Sequence, residues 1–368
     1  MIRVLVVDDS TFMRMSIADL LQKDPEIKVV DTARDGMEAL EKAAKLDVDV
    51  ITLDVEMPRL NGLDTLKKLM ETNPLPVIMV SSLTEDGAES TLRAMEYGAQ
   101  DFIPKTLSND KDAFGQELRK KVRALARRKS IVRLKYHHKP AAQPLTHQTS
   151  HPAQPQRPAR APAKRTAGSN AIGGAGKGPR DLVVIGVSTG GPPVVQKILS
   201  QLPGDLPACI LIAQHMPATF TGPFAKRLDS VSKLTVTEAK NGDRLVNGHA
   251  YVCPGGMHIG LRLAGPLPEV MVTEHPRSAL YKPTVNVLME TAGNIMGRRT
   301  LGVMLTGMGN DGVDGAQVLR DKGGLLIAQS EASCVVYGMP KAVVDANLAN
   351  LVLDADDIAQ AIVATVRG

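Results

Sequence analysis

Residues 2–9 read Ile-Arg-Val-Leu-Val-Val-Asp-Asp, and this stretch decides the fold of the first third of the chain. A β-branched apolar run that stops on two carboxylates is a buried strand whose carboxyl end meets something polar. Outward from it, Lys28–Thr32, Val50–Leu53, Pro76–Val80 and Asp101–Ile103 also read as strands. Between them Met13, Ile17, Leu20 and Leu21 share one helical face, as do Leu63, Leu66 and Leu69. Five strands with intervening helices in about 125 residues predict a parallel, doubly wound α/β sheet. A last helix over 112–129 places Phe114, Leu118, Val122 and Leu125 inward, with its Arg and Lys side chains on an outward, solvated face.

Strand ends carry the chemistry in such a sheet, because neighbouring carboxyl ends line one crevice. Asp8 and Asp9 end the first strand and Asp54 the third. Three converging carboxylates repel unless a divalent cation binds, and Mg²⁺ suits a site that leaves room for water and phosphate oxygens. Ser81 and Lys105 follow two further strands. A metal, an ammonium and a hydroxyl around one carboxylate are what a phosphoryl group on Asp54 would require.

With Asp8-Asp9, the D-x-x-M-P run of Asp54–Pro58, Ser81 and Lys105 in order, residues 1–125 resemble a response-regulator receiver domain. The resemblance implies a flavodoxin-like fold. It also implies that Asp54 accepts phosphate from a histidine kinase, that Asp8, Asp9 and Asp54 hold Mg²⁺, and that Ser81 and Phe102 are the switch positions.

The whole chain has 368 residues, 44 Lys+Arg and 39 Asp+Glu, a net charge of +5. That surplus is local. Residues 1–117 sum to −10, residues 118–180 to +16 with no acidic side chain, and residues 181–368 to −1. Within the basic stretch, 131–179 is rich in Pro, Gly, Ala, Gln and His and poor in large aliphatics, the composition of a disordered linker. About 50 such residues span roughly 40 Å. A basic nucleic-acid reader is disfavoured, since no helix-turn-helix pattern follows the first unit and the chain has no Trp. No apolar run spans a bilayer, no signal peptide precedes Asp8, and three scattered cysteines make no disulfide framework; a cytoplasmic protein is expected.

Beyond the linker the strand pattern restarts at Leu182–Val187, Ala208–Ala213, His249–Val252, Val270–Thr273, Thr300–Leu305 and Leu325–Ala328, with helices over Pro193–Leu202 and Gly312–Lys322. The middle strands are hairpin-spaced, so this second sheet is expected to be mixed, though mostly parallel. Its first strand runs into Gly186-Val187-Ser188-Thr189-Gly190-Gly191. Glycines permit a tight turn that lifts the Ser188 hydroxyl above the sheet at a helix N-terminus. Alone, this G-x-S-x-G also reads as a phosphate-binding turn. Gln214-His215-Met216 ends a second strand, and Thr306-Gly307-Met308-Gly309-Asn310-Asp311 ends a third. Serine, histidine and aspartate at one edge supply a nucleophile, a general base and its orienter. His258 is a rival base and Asp314 a rival acid. The order Ser, His, Asp differs from those of ordinary α/β-hydrolases and proteases.

Taken together, G-V-S-T-G-G, I-A-Q-H-M and T-G-M-G-N-D-G downstream of a receiver resemble the CheB family of chemotaxis protein-glutamate methylesterases. The likeness implies domains at 1–130 (receiver), 131–179 (linker) and 180–368 (an α/β hydrolase-type catalytic unit). It implies Ser188 as nucleophile, His215 as base and Asp311 as orienter, with Thr189 and Met308 amides stabilising the oxyanion. The expected reaction is hydrolysis of glutamyl methyl esters on chemoreceptors, with deamidation of receptor glutamines, and without a cofactor for the esterase step. Histidine kinase and chemoreceptors are the expected partners, nucleic acid is not. The competing reading is a second domain that only binds a partner.

Overall fold

The structure, a computed structural model, describes residues 1–82, 84–105, 110–127 and 180–368. The linker expected at 131–179 lies outside the described residues. The first sheet contains β1 (Ile2–Val7), β2 (Ile27–Ala33), β3 (Val50–Asp54), β4 (Val77–Ser81) and β5 (Asp101–Pro104). Its spatial order is β2-β1-β3-β4-β5 and every pairing is parallel. Helices α1 (Thr11–Gln22), α2 (Gly36–Lys45), α3 (Gly62–Thr72), α4 (Glu85–Tyr97) and α5 (Lys111–Ala126) cover both faces. With both faces covered, β3 and β4 are buried along their whole length, which is why they read as unbroken apolar runs.

Helix starts are set by side-chain caps: Asp35 accepts from the amides of Met37 and Glu38, and Asn61 from Asp64. The basic face expected of the last helix is outward at Lys120 and Arg127, but three of its side chains are tied to the domain. Arg119 of α5 donates to the Leu20 carbonyl at 2.7 Å, Lys121 pairs with the buried Asp101, and Arg123 pairs with Asp24 at 2.6 Å. These long side chains lie back along the surface, so α5 is tied to its own domain by its charges as well as its apolar stripe.

The second sheet contains β6 (Leu182–Val187), β7 (Cys209–Gln214), β8 (Thr235–Glu238), β9 (His249–Val252), β12 (Thr300–Met304), β13 (Leu325–Gln329) and β14 (Leu351–Leu353). Its order is β14-β13-β12-β6-β7-β9-β8, parallel throughout. The expectation of a mixed sheet is therefore corrected. The hairpin-spaced segment forms a separate two-stranded antiparallel sheet, β10 (His258–Ala264) with β11 (Leu267–Thr273). Ile259, Leu261 and Val270 of this hairpin join the core with Leu288, Met289 and Ala292 of a following helix. The helices here are α6 (Gly191–Gln201), α7 (Ala218–Val231), α8 (Val285–Met296), α9 (Val313–Asp321), α10 (Met339–Asp345) and α11 (Ala355–Arg367).

The chain proceeds from β6 toward β7 on one side and later returns to β6's other flank with β12. The reversal opens a crevice at the carboxyl ends of β6 and β12. In the first sheet the same reversal falls between β1 and β3, at Asp8 and Asp54. Among the described residues no helix is long and apolar enough to cross a membrane.

Candidate active site and phosphorylation pocket

Ser188 stands between β6 and α6. Its amide donates to the Thr306 carbonyl at 3.0 Å, and its own carbonyl accepts from Gly191 at 2.9 Å. Gly190 supplies the left-handed conformation of this turn, with φ 74°. Gly307 lies against the serine so closely that a Cβ on it would sit 2.8 Å from Ser188 Cβ and 2.3 Å from Met339 Sδ. No other residue fits between the nucleophile turn and the loop after β12.

His215, directly after β7, turns Nδ1 to Ser188 Oγ at 3.1 Å and Nε2 to Asp311 Oδ2 at 2.7 Å. The three residues sequence analysis singled out thus form one relay. Asp311 is buried and multiply held. Its Oδ2 also accepts from the Val285 amide at 2.8 Å, while Oδ1 accepts from the Thr284 hydroxyl and the Asn286 amide. The carboxylate therefore caps α8, whose N-terminus favours negative charge. Burial works to raise the Asp311 pKa, but the hydrogen bonds from His215, Thr284 and Val285 prevail and hold it below the ordinary value.

The rivals are placed elsewhere. His258 is fully buried; its Nδ1 accepts from the Thr284 amide at 3.0 Å and Nε2 lies 3.2 Å from the Pro276 carbonyl. It supports the residue that supports Asp311. Asp314 is exposed in the first turn of α9.

Several contributors lay outside sequence reasoning. Gln214 is buried, and its amide group donates to the carbonyls of Ser188 and His215 at 2.9 and 3.2 Å. The Thr306 hydroxyl donates to the Thr189 carbonyl at 2.9 Å and accepts from the Val336 amide at 2.9 Å. Tyr281 stacks on the His215 ring, centroids 4.4 Å apart and 11° from parallel. Gln214 and Thr306 lie within the motifs that carry His215 and Asp311, whereas nothing in the sequence around Thr284 pointed to it. Among the described residues the amides of Thr189 and Met308 donate to no protein carbonyl, so both can receive an oxyanion.

In the first sheet, ligand oxygens of Asp8, Asp9 and Asp54 lie within 4.8 Å of one another. Lys105 Nζ is 2.7 Å from Asp54 Oδ2 and 3.0 Å from Asp8 Oδ2. Three carboxylates against one ammonium leave a deficit of two positive charges. Burial raises both buried carboxylates, Asp54 to about 6, against the pull of Lys105. An all-oxygen donor set with this excess of negative charge fits Mg²⁺. Ser81 is buried, its hydroxyl donating to the Ser82 and Gly87 carbonyls at 3.1 and 3.2 Å. Phe102 is also buried, against Phe220 of α7.

A parallel five-stranded sheet with this acidic pocket, joined to a parallel α/β unit carrying a Ser–His–Asp relay, defines a response regulator with a hydrolase-type output unit. Family models agree on both halves: the response regulator receiver domain matches residues 4–113 and the CheB methylesterase model residues 183–362. The chain belongs to the CheB methylesterase family. It is 52% identical, over 98% of both chains, to a protein-glutamate methylesterase/protein-glutamine glutaminase of Lawsonia intracellularis. It is 53% identical, over 100% of both chains, to one of Oleidesulfovibrio alaskensis. It is also similar to the crystal structure of the Thermotoga maritima CheB methylesterase catalytic domain, at 39% identity and a TM-score of 0.49, covering 50% of this chain and 97% of that one.

Proposed function

We propose that this protein hydrolyses glutamyl methyl esters on the cytoplasmic helices of chemoreceptors, and deamidates receptor glutamines, under control of phosphorylation at Asp54. The observation that carries the reading is the Ser188–His215–Asp311 relay at the β6–β12 crevice. Ser188 Oγ attacks the ester carbonyl while His215 Nδ1 takes its proton. Asp311, on Nε2, fixes the tautomer and stabilises the imidazolium. The Thr189 and Met308 amides receive the oxyanion. His215 then returns the proton to the departing methoxide, methanol leaves, and water releases glutamate by the reverse relay. A primary amide fits the same path, with ammonia as leaving group.

Residues 1–130 form the regulatory domain, 131–179 the tether and 180–368 the catalytic domain. Asp8, Asp9 and Asp54 hold Mg²⁺, which supplies charge neutralisation for phosphoryl transfer from a histidine kinase. Lys105 pairs with the phosphoryl group, and Ser81 and Phe102 respond to it. In the unphosphorylated chain the receiver covers the catalytic edge. Three contacts support this: Phe102 on Phe220, Glu96 paired with Arg227 of α7, and Val335–Val336, beside the Ser188 turn, packed on the cluster of Phe114 and Leu118. Phosphorylation shifts the population toward the open form. The site of action is the cytoplasm.

The test is methanol release from methyl-labelled receptor membranes, with and without a small phosphodonor and Mg²⁺. Release should rise with the donor, vanish in Ser188→Ala, and lose its donor response in Asp54→Asn. No methanol from the folded chain in either condition overturns the esterase reading. A Ser188→Ala chain that keeps its full output would favour a binding module.

A further inference from the structure

The relay explains how His215 is held at its two nitrogens. It leaves open what fixes the ring's faces, and one side chain not assigned a role above lies on them. Tyr281 stacks on the imidazole 11° from parallel, with centroids 4.4 Å apart. Its hydroxyl end reaches the loop after β12, 3.5 Å from where a Cβ on Gly309 would stand. One rigid ring thus spans from the base to the turn beside Met308. The segment carrying it is anchored on both sides. The Ala279 amide donates to the Pro276 carbonyl at 3.2 Å, the Gly256 amide donates to the Lys282 carbonyl at 3.2 Å, and the Thr284 amide donates to His258.

We infer that Tyr281 is a positioning residue for His215: its ring face holds the imidazole plane with Nδ1 on Ser188 and favours the imidazolium that forms when the serine proton is taken. A cation over an aromatic face is attracted by the ring's quadrupole, and a neutral imidazole gains much less. The stack is therefore stronger after proton transfer than before it, which is the property that accelerates a step rather than merely tightening binding. The hydroxyl is not required, since the interaction resides in the ring. The charged groups acting on this pair are Asp311 on Nε2 and Glu117 of α5, whose charge acts on Tyr281.

This inference rests on the esterase reading, and the unsubstituted chain serves as the separate test of that. The experiment uses the full chain with Mg²⁺ and a small phosphodonor, following methanol release from methyl-labelled receptor membranes across pH 5–9 in wild type, Tyr281→Phe and Tyr281→Leu. Tyr281→Phe should stay within about twofold of wild type. Tyr281→Leu should lose about tenfold in kcat with little change in KM. Its acid limb should move toward lower pH, because the protonated imidazole loses its stabilising face. With wild type active, a Tyr281→Leu profile superimposable on wild type in rate and limb overturns the inference. So does a Tyr281→Phe loss as deep as that of Tyr281→Leu, which would place the effect in the hydroxyl. Silence from wild type would overturn the esterase reading itself.

Discussion

Phe102, in the last strand of the receiver, stacks on Phe220, in the first turn of the helix that follows His215, with ring centroids 4.4 Å apart and planes 23° from parallel. The proposed switch position of one sheet thus touches the element that leads away from His215 in the other. Such ring pairs contribute about 0.5–1.5 kcal/mol beyond their buried area. Phe220→Ala would also hollow the catalytic core, so Phe102→Ala is the cleaner substitution. It should raise methanol release without phosphodonor by roughly two- to tenfold and narrow the gain on phosphorylation. An unchanged basal rate would show that the ring pair does not hold the closed form.

Asp311 couples the acid of the relay to a helix start, and Thr284 is the hydroxyl between them. Thr284→Val keeps the shape and removes both the cap and a donor to Asp311. The expected cost is about 1 kcal/mol of stability, with roughly tenfold lower kcat. Thermal unfolding and methanol release measured on the same preparation distinguish this from a loss of fold.

His215 and His258 differ in what their removal should do. His215→Gln should reduce methanol release by on the order of 10²–10⁴-fold with little change in stability. His258→Leu leaves the Thr284 amide without its partner and takes one of two partners from the Pro276 carbonyl, so it should cost about 1–3 kcal/mol of stability and leave the acid limb of the rate profile in place. A moved acid limb in His258→Leu would reopen the assignment of the base.

The depressed pKa of Asp311 gives a stability contribution with a definite sign. Because the folded value lies below the ordinary 3.8, the contribution is complete above the unfolded carboxylate range and is lost as pH falls through that range and the lowered folded value. Asp311→Asn should therefore be less stable than wild type by a constant margin from about pH 6 upward. The margin should shrink as pH falls below about 4, read by urea unfolding at a series of pH values. A margin that grows on acidification would contradict the hydrogen-bonding pattern at this carboxylate.

Chelation should separate the two halves. Removing Mg²⁺ should abolish the phosphodonor-dependent rise in methanol release while leaving the basal rate, because both ring nitrogens of His215 and both oxygens of Asp311 are engaged in hydrogen bonds within the relay and its support. A basal rate that also falls on chelation would place a divalent ion in the esterase site.

The first sheet was legible almost throughout, because strands covered on both faces are apolar over most of their length, as Val4–Val7 and Val77–Val80 are. Ser188, His215 and Asp311 were legible because parallel strands deliver their carboxyl ends to one edge. The choice between His215 and His258 was not. His215 ends an apolar run and His258 follows a Gly-rich turn, and only the fold shows one facing Ser188 and the other facing backbone. β10 (His258–Ala264) escaped the sequence reading, and the Val270–Thr273 segment pairs with it in a separate hairpin rather than within the main sheet. Edge strands β8 and β14 escaped notice because one is half exposed and the other has three residues. Tyr281, Thr284 and Thr306 act through contacts that no local pattern encodes. The basic side chains of α5 looked solvated because sequence gives the charge of a face and not the carboxylates that meet it.

The reversal of strand order between β6 and β12 has a consequence for how the enzyme comes into being. Asp311 follows His215 by 96 positions, and the strand that carries it inserts beside β6 only after the opposite flank of the sheet has been threaded. A ribosome that has released the serine and the histidine has therefore made a sheet with one side of its central strand unpaired and no acid to orient the base. A chain that ends short of Asp311 carries the receiver, Ser188 and His215, but no acid to orient the base.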